Sequence, residues 1–268
     1  SPGNITWSPD GKLIAFTMFK SEKLPVVIKM PQKPKGANWA KPARITNRLK
    51  HEADGRGYLK PGFTHIYTIP SQGGTPEQIT SGNYNHTGTL SFSPDSKSIY
   101  FSANRVEDWE YDFRNSEVYN VDIYTKLIKV LTSQKGPDFS PKVSPNGKKI
   151  AFLGFKDNVQ THQNRVLYLM NSSGKNRTTI SGNFDNSISN IVWDSLGNGL
   201  YFTYDEKGNS KVAYISLNGK VTKLADNLGG TTIGRPYASG SFSVAKNGTI
   251  VYTHTRPEYP SELAVIKD

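Results

Sequence analysis

The amino-acid sequence predicts an all-β protein, a β-propeller of four-stranded antiparallel blades. A turn phrase recurs at a near-constant interval, each copy is framed by two strand-like runs, and further strand-like runs follow most copies. The phrase reads Trp7-Ser8-Pro9-Asp10-Gly11 before Ile14-Ala15-Phe16, Ser93-Pro94-Asp95-Ser96 before Ile99-Tyr100-Phe101, and Ser144-Pro145-Asn146-Gly147 before Ile150-Ala151-Phe152. Degenerate copies stand at Asp194-Ser195-Leu196-Gly197, Ala245-Lys246-Asn247-Gly248 and, weakest, Glu52-Ala53-Asp54-Gly55. Their last residues fall at 11, 55, 96, 147, 197 and 248. Self-similarity at that period marks an array of small supersecondary units.

The tetrad is a turn with a mechanism. Pro pre-sets φ for the first central position, Asp or Asn bonds the backbone ahead, and Gly takes the positive φ. Apolar runs precede it (Ile5-Thr6-Trp7, Leu90-Ser91-Phe92, Ile191-Val192-Trp193) and β-branched or aromatic runs follow, so each phrase reads as a hairpin. Third strands are expected at Val26–Met30, His65–Ile69, Val118–Ile123, Val166–Met170, Val212–Leu217 and Glu262–Ile266. Short turns lead to fourth strands at Pro76–Thr80, Arg177–Ser181 and Val221–Ala225, with Ala43–Thr46 as a further candidate. Four antiparallel strands per unit make a propeller blade. A β-sandwich has no need to repeat one tetrad at one interval, and no stretch shows helical periodicity.

About six blades are therefore expected in a single domain over residues 1–268, their hairpins starting near residues 5, 44, 89, 140, 190 and 240. The last ends after its third strand, and the chain is expected to be part of a seven- or eight-bladed propeller. Unpaired blade edges would then invite self-association.

Composition fits this reading. Apolar residues make up 35%, but 14 Tyr, 12 Phe and 4 Trp supply large buried area per residue. Glycine (24) and proline (16) sit at regular turn offsets rather than in low-complexity runs. No run of 18 apolar residues occurs, so no membrane-spanning helix is expected. Cysteine is absent, which excludes disulfides and thiolate metal sites and leaves the compartment open between bacterial cytoplasm and periplasm.

The net charge of +11 is uneven, with eleven Lys/Arg from Lys20 to Lys60 against Glu22, Glu52 and Asp54. Such a patch could attract nucleic acid or anionic lipid. The segment has few aromatics to stack on bases, and a solvated insertion between blades is the stronger reading.

Three segments carry a resemblance to a known family. One is Arg44-Ile45-Thr46-Asn47-Arg48-Leu49 to Asp54-Gly55-Arg56-Gly57-Tyr58-Leu59, followed by His65-Ile66-Tyr67 and Gly73-Gly74-Thr75-Pro76-Glu77-Gln78-Ile79-Thr80. Another is Asn104-Arg105-Val106-Glu107-Asp108-Trp109-Glu110 leading to Ser116-Glu117-Val118-Tyr119, and the last is Pro260-Ser261-Glu262-Leu263-Ala264-Val265. The chain resembles the N-terminal propeller of the prolyl oligopeptidase family (S9), in its acylaminoacyl-peptidase and dipeptidyl-peptidase branch. The resemblance implies a propeller that caps an α/β-hydrolase domain, gates its active site and helps bind the peptide's N-terminal end. The hydrolase half is missing from these residues. No G-x-S-x-G nucleophile elbow occurs, and Gly240-Ser241-Phe242-Ser243 fails at the spacing. The segment by itself is thus expected to be non-catalytic, with the hydrolase domain of its parent chain and a peptide substrate as partners. The alternative is a propeller like that of TolB, acting as a protein–protein interaction module.

Long second-to-third loops on a rigid scaffold are where binding residues lie. They are expected at Asn104–Glu117, Lys156–Gln163 and His254–Pro260. The first carries Arg105, Glu107, Asp108, Trp109, Glu110, Tyr111, Asp112 and Arg114. Carboxylates can hold a protonated α-amino group, Arg a carbonyl, and an aromatic ring a side chain. Glu107 and Asp108 are the candidates for the amine, Arg105 for the carbonyl, and Trp109 and Glu110 complete the set; the alternative is a charged, self-paired loop that docks on the hydrolase domain. No metal or other cofactor is expected. Asp10, Asp95 and Asn146 stand in separate blades without calcium-loop spacing and read as caps of their own turns.

Overall fold

Each Ser-Pro-Asp/Asn turn is built by its own side chains. In the first, Ser8 Oγ donates to Asp10 Oδ1 (2.6 Å), Asp10 Oδ1 accepts from the Lys12 amide (3.1 Å), and the Leu13 amide donates to Ser8 Oγ (2.9 Å). The pattern recurs at Ser93/Asp95 and Ser144/Asn146, and Asp194 caps Leu196 and Asn198 in the same way. The closing position has positive φ in every tetrad, including the second, where Ser96 takes φ 60°. A non-glycine residue there carries a conformational cost. In return, Ser96 Oγ accepts from the Asp10 amide of the preceding turn (3.2 Å).

These turns organise a chain that contains no helix among the described residues of the computed structural model (1–24, 28, 31–40, 43–230, 240–256 and 258–267). The first blade holds β1 (Gly3–Trp7), β2 (Leu13–Ser21), β5 (Gly62–Pro70) and β6 (Glu77–Gln78); between β2 and β5 lies a separate small hairpin, β3 (Glu52–Ala53) with β4 (Gly57–Tyr58). The second holds β7 (Ser91–Phe92), β8 (Ser98–Ala103), β9 (Glu117–Asp122) and β10 (Ile128–Val130). The third holds β11 (Asp138–Val143), β12 (Lys149–Gly154), β13 (Val166–Asn171) and β14 (Thr178–Thr179). The fourth holds β15 (Ser189–Trp193), β16 (Gly199–Glu206), β17 (Asn209–Ser216) and β18 (Val221–Leu228). Then come β19 (Phe242–Val244), β20 (Ile250–Arg256) and β21 (Tyr259–Ile266), a three-stranded last blade tied to β18 by the Leu228–His254 pair. All ladders are antiparallel.

The propeller architecture is thus observed, with one correction. The described residues form five blades, not six, because the hairpin expected near residue 44 is not one. Ala43–Thr46 form no strand, and β3 and β4 pair only with each other. The Glu52–Gly55 turn lacks the serine and proline of the three full copies and, unlike the other degenerate copies, is followed by no β-rich run. The His65–Ile69 run therefore serves as the third strand of the first blade, and Pro76–Thr80 supplies its fourth. Of the expected third strand at 26–30, only Ile28 lies among the described residues, and it is not in a strand. His254–Pro260, expected as a long loop, is mostly strand.

Alternation sorts side chains onto the two faces of each blade. Ala15 and Ile66 of the first blade meet Leu90, Phe92, Ile99 and Phe101 of the second. Tyr100, Val118 and Leu131 of the second meet Ile150, Phe152 and Met170 of the third. Ala151, Leu153 and Leu167 of the third meet Leu200 and Phe202 of the fourth. Neighbouring residues of the repeated Ile-Ala-Phe run thus serve opposite interfaces. The inner strands β1, β11 and β15 each carry a bulge, at Asn4, Ser140 and Asn190, all with positive φ. Each lies four residues before its tetrad. Thr89, Ser140, Asn190 and Ser241, the equivalent positions of four successive blades, line one axial cavity of about 310 Å³.

Candidate functional site

In a blade of this topology the second-to-third loops and the links between blades emerge at the same end. Two long segments meet there: an arm running from β2 to β5, and the loop 104–116 of the second blade. The arm returns to its blade through Gly62, whose φ of +140° and close approach (a Cβ would lie 2.2 Å from the Lys20 carbonyl) leave room only for glycine. Arg48 locks the arm's base. Its guanidinium lies 3.9 Å from the Phe63 ring centre, donates to the Gly62 carbonyl (2.9 Å) and pairs with Glu22 (3.7 Å).

The loop 104–116 is organised by Asn104, whose Nδ2 donates to the carbonyls of Asp112 (2.7 Å) and Trp109 (3.4 Å). The Asp108 carbonyl accepts from the Tyr111 and Asp112 amides. Trp109 meets Phe63 edge-on at 6.2 Å, and Glu110 Oε1 accepts from the Leu49 amide (3.2 Å), which ties the loop to the arm. Arg114 reaches Asp157 of the next blade's loop (3.8 Å).

Two adjoining cavities open between arm and loop. One, about 640 Å³, lies against the arm and includes Phe19, Arg48, Lys50, Arg56, Lys60 and Trp109 in its wall. The other, about 1020 Å³, includes Glu52, Ser102, Trp109, Glu110, Phe113 and Arg114. Lys50, His51, Asn85, Thr87 and Trp109 belong to both. Of the sequence-predicted residues, Trp109 and Glu110 line these cavities. Glu107 and Asp108 are exposed on the loop, outside both walls. Arg105 also lies outside them. Its Nη1 donates to His86 Nε2 (2.6 Å), and its guanidinium stacks 4.8 Å from the Tyr84 ring centre.

His86 is only 1% exposed, and its Nδ1 lies 3.1 Å from the Thr64 carbonyl. With Nε2 accepting from Arg105, Nδ1 carries the proton. Burial, reinforced by the Arg105 charge, depresses the imidazole pKa to about 3, so the ring is neutral beneath the loop. A second buried polar group joins the next two blades. Arg177 makes a bidentate pair with Asp138 (2.8 and 3.1 Å), whose residue is fully buried, while Thr132 Oγ1 donates to Glu117. Burial, with Asp138 close by, raises the Glu117 carboxyl to about 7. Sequence reading missed Arg48, His86, Glu117, Asp138 and Arg177. For Glu117 and Asp138 the available signal was a carboxylate at the first position of a strand, β9 or β11.

Comparison with known proteins places this architecture. A family model described as the dipeptidyl peptidase IV (DPP IV) N-terminal region matches residues 37–155, which span the later part of the arm, the loop and the second blade. The chain is 30% identical over 224 residues to a protein of Aspergillus clavatus named "Probable dipeptidyl-peptidase 5", covering 79% of this chain and 30% of that one. In fold it is similar to Pyrococcus horikoshii acylaminoacyl peptidase (TM-score 0.66, 14% identity, 99% of this chain and 36% of that chain). It is also similar to TolB of Acinetobacter baumannii (TM-score 0.63, 22% identity, 99% and 51%). The chain thus spans about a third of the length of its fungal relative. The fold and its loop-bearing face define a β-propeller domain whose long segments rise at one end. By the family-model match and by its fold, the chain is similar to the N-terminal propellers of the prolyl oligopeptidase family (S9).

Proposed function

We propose that this propeller serves a serine peptidase domain of the same parent chain, controlling access to it and holding the N-terminal end of the peptide substrate. The observation that carries this reading is the loop 104–116, braced by Asn104 and overhanging two cavities on the link-bearing face. Cavities of this size suit a short peptide segment. Trp109 offers a ring for a side chain, and Glu110, with Glu107 and Asp108 at the exposed rim, offers carboxylates for an α-ammonium group. Arg105, committed to His86, acts by fixing the loop's base rather than by binding a carbonyl.

Calorimetric titration with a tetrapeptide, once with a free amino terminus and once acetylated, tests the reading. The free form is expected to bind more tightly, and Glu107→Gln with Asp108→Asn to narrow the difference. Equal affinity for both forms would refute amine recognition. Recovery of a reading frame that carries a G-x-S-x-G elbow after this segment supports the peptidase partner. A frame that stops without one favours a TolB-like interaction module.

A further inference from the structure

The smaller cavity has an electrostatic character that amine recognition does not use. Its wall carries Arg48, Lys50, Arg56, Lys60 and His51, and no carboxylate. Arg48 is already held by Glu22, the Gly62 carbonyl and Phe63. Lys50, Arg56 and Lys60 have no carboxylate partner among the described residues. The adjoining cavity differs: Glu52 and Glu110 lie in its wall, with Lys50 and Arg114. Three unpaired cations around a concave surface raise the local concentration of anions. They also supply charge-assisted donors to a carboxylate.

We infer that the paired cavities select peptides bearing a carboxylate side chain within the first few residues. The acidic side chain sits against Lys50, Arg56 and Lys60, and the amino-terminal end lies toward Glu52 and Glu110. This rests on the peptide-binding reading above and adds the substrate class. An acidic peptide with a free amino end matches both walls, positive against the arm and negative beside the loop. A nucleic-acid strand threading both cavities would carry phosphates past Glu52 and Glu110.

The test uses C-terminally labelled, amidated peptides with free amino ends that differ only by Glu or Gln at the second position, measured by fluorescence anisotropy at low and high salt. The Glu peptide is expected to bind on the order of tenfold more tightly, equivalent to about 1.4 kcal/mol. Raising the salt should shrink that gain, because exposed charges are screened. Lys50→Gln with Lys60→Gln should remove the gain, whereas Lys50→Arg with Lys60→Arg should keep it. Binding of both peptides with equal affinity overturns this inference alone. Failure of both peptides to bind overturns the peptide-binding reading beneath it. Displacement of the Glu peptide by a single-stranded oligonucleotide that itself binds with steep salt dependence assigns the basic wall to nucleic acid instead.

Discussion

Glu117 shows how a single buried group sets a pH response. Its carboxyl is raised to about 7 by burial, above its value in an unfolded chain. Between about pH 4.5 and 7 the folded chain therefore holds a proton that the unfolded chain has released, so this group's stabilising contribution falls as pH rises through that window. His86 works in the opposite sense. Its depressed pKa makes stability fall as pH drops below about 6.5, where the unfolded imidazole takes up a proton. Glu117→Gln is expected to melt progressively above the parent protein as pH increases from about 4.5 to 7, with a constant difference beyond. Thermal unfolding across that range, followed by circular dichroism, checks it; a difference that does not change with pH would show Glu117 to be ionised throughout. None of this was legible in the sequence. His86 and Arg105 are 19 residues apart and meet where the first blade packs on the second, while Asp138 and Arg177 are 39 apart and meet only once the four strands of the third blade are in place.

At the scale of elements, the hairpins were legible because each tetrad carries its own hydrogen-bond chemistry. Where that chemistry is missing, at Glu52–Gly55, the expectation of a blade failed. The bulge before three of the tetrads went unread, although its signal is plain in retrospect: Asn4, Ser140 and Asn190, like Thr89 and Ser241 at the same offset, are small polar residues. The candidate loop was placed correctly as a loop, but which of its residues face the cavities depends on Asn104 folding the segment back on itself. Blade packing makes a sharper claim. Phe101, Phe152 and Phe202 hold equivalent positions and are all fully buried. Truncating any one to Ala is expected to cost about 3–5 kcal/mol, since the rigid sheets on either side cannot close the void. Urea unfolding measures this. A loss below about 1 kcal/mol at any of the three would mean that its two blades do not share a packed interface there.

For the molecule as a whole, the same repeat shows what the terminal blades lack. Trp193 faces the third blade and donates its indole N–H to the Lys142 carbonyl (2.9 Å). Trp7 holds the matching register beside Ile14, yet it is 58% exposed and its neighbour Ile5 is 66% exposed. At the other end Leu263 and Val265 of the last blade are 74% and 54% exposed. Apolar faces of this kind mark interaction surfaces. The 268-residue chain in isolation is expected to associate as its concentration rises, and Trp7→Ser with Leu263→Ser to weaken that association. Sedimentation velocity over a concentration series reads both; a mass that stays constant for parent and variant would contradict the expectation.

The polar ring along the axis has a consequence for how such a protein can change size. Four of the five staves contribute one hydroxyl or amide to the bore, and the inner staves bring their own pair of oily flanks. A stave can be gained or lost without stranding a polar group in a dry place, because the bore stays wettable at any width. A different number of staves is therefore expected to be tolerated through the small polar residue four places ahead of those turns.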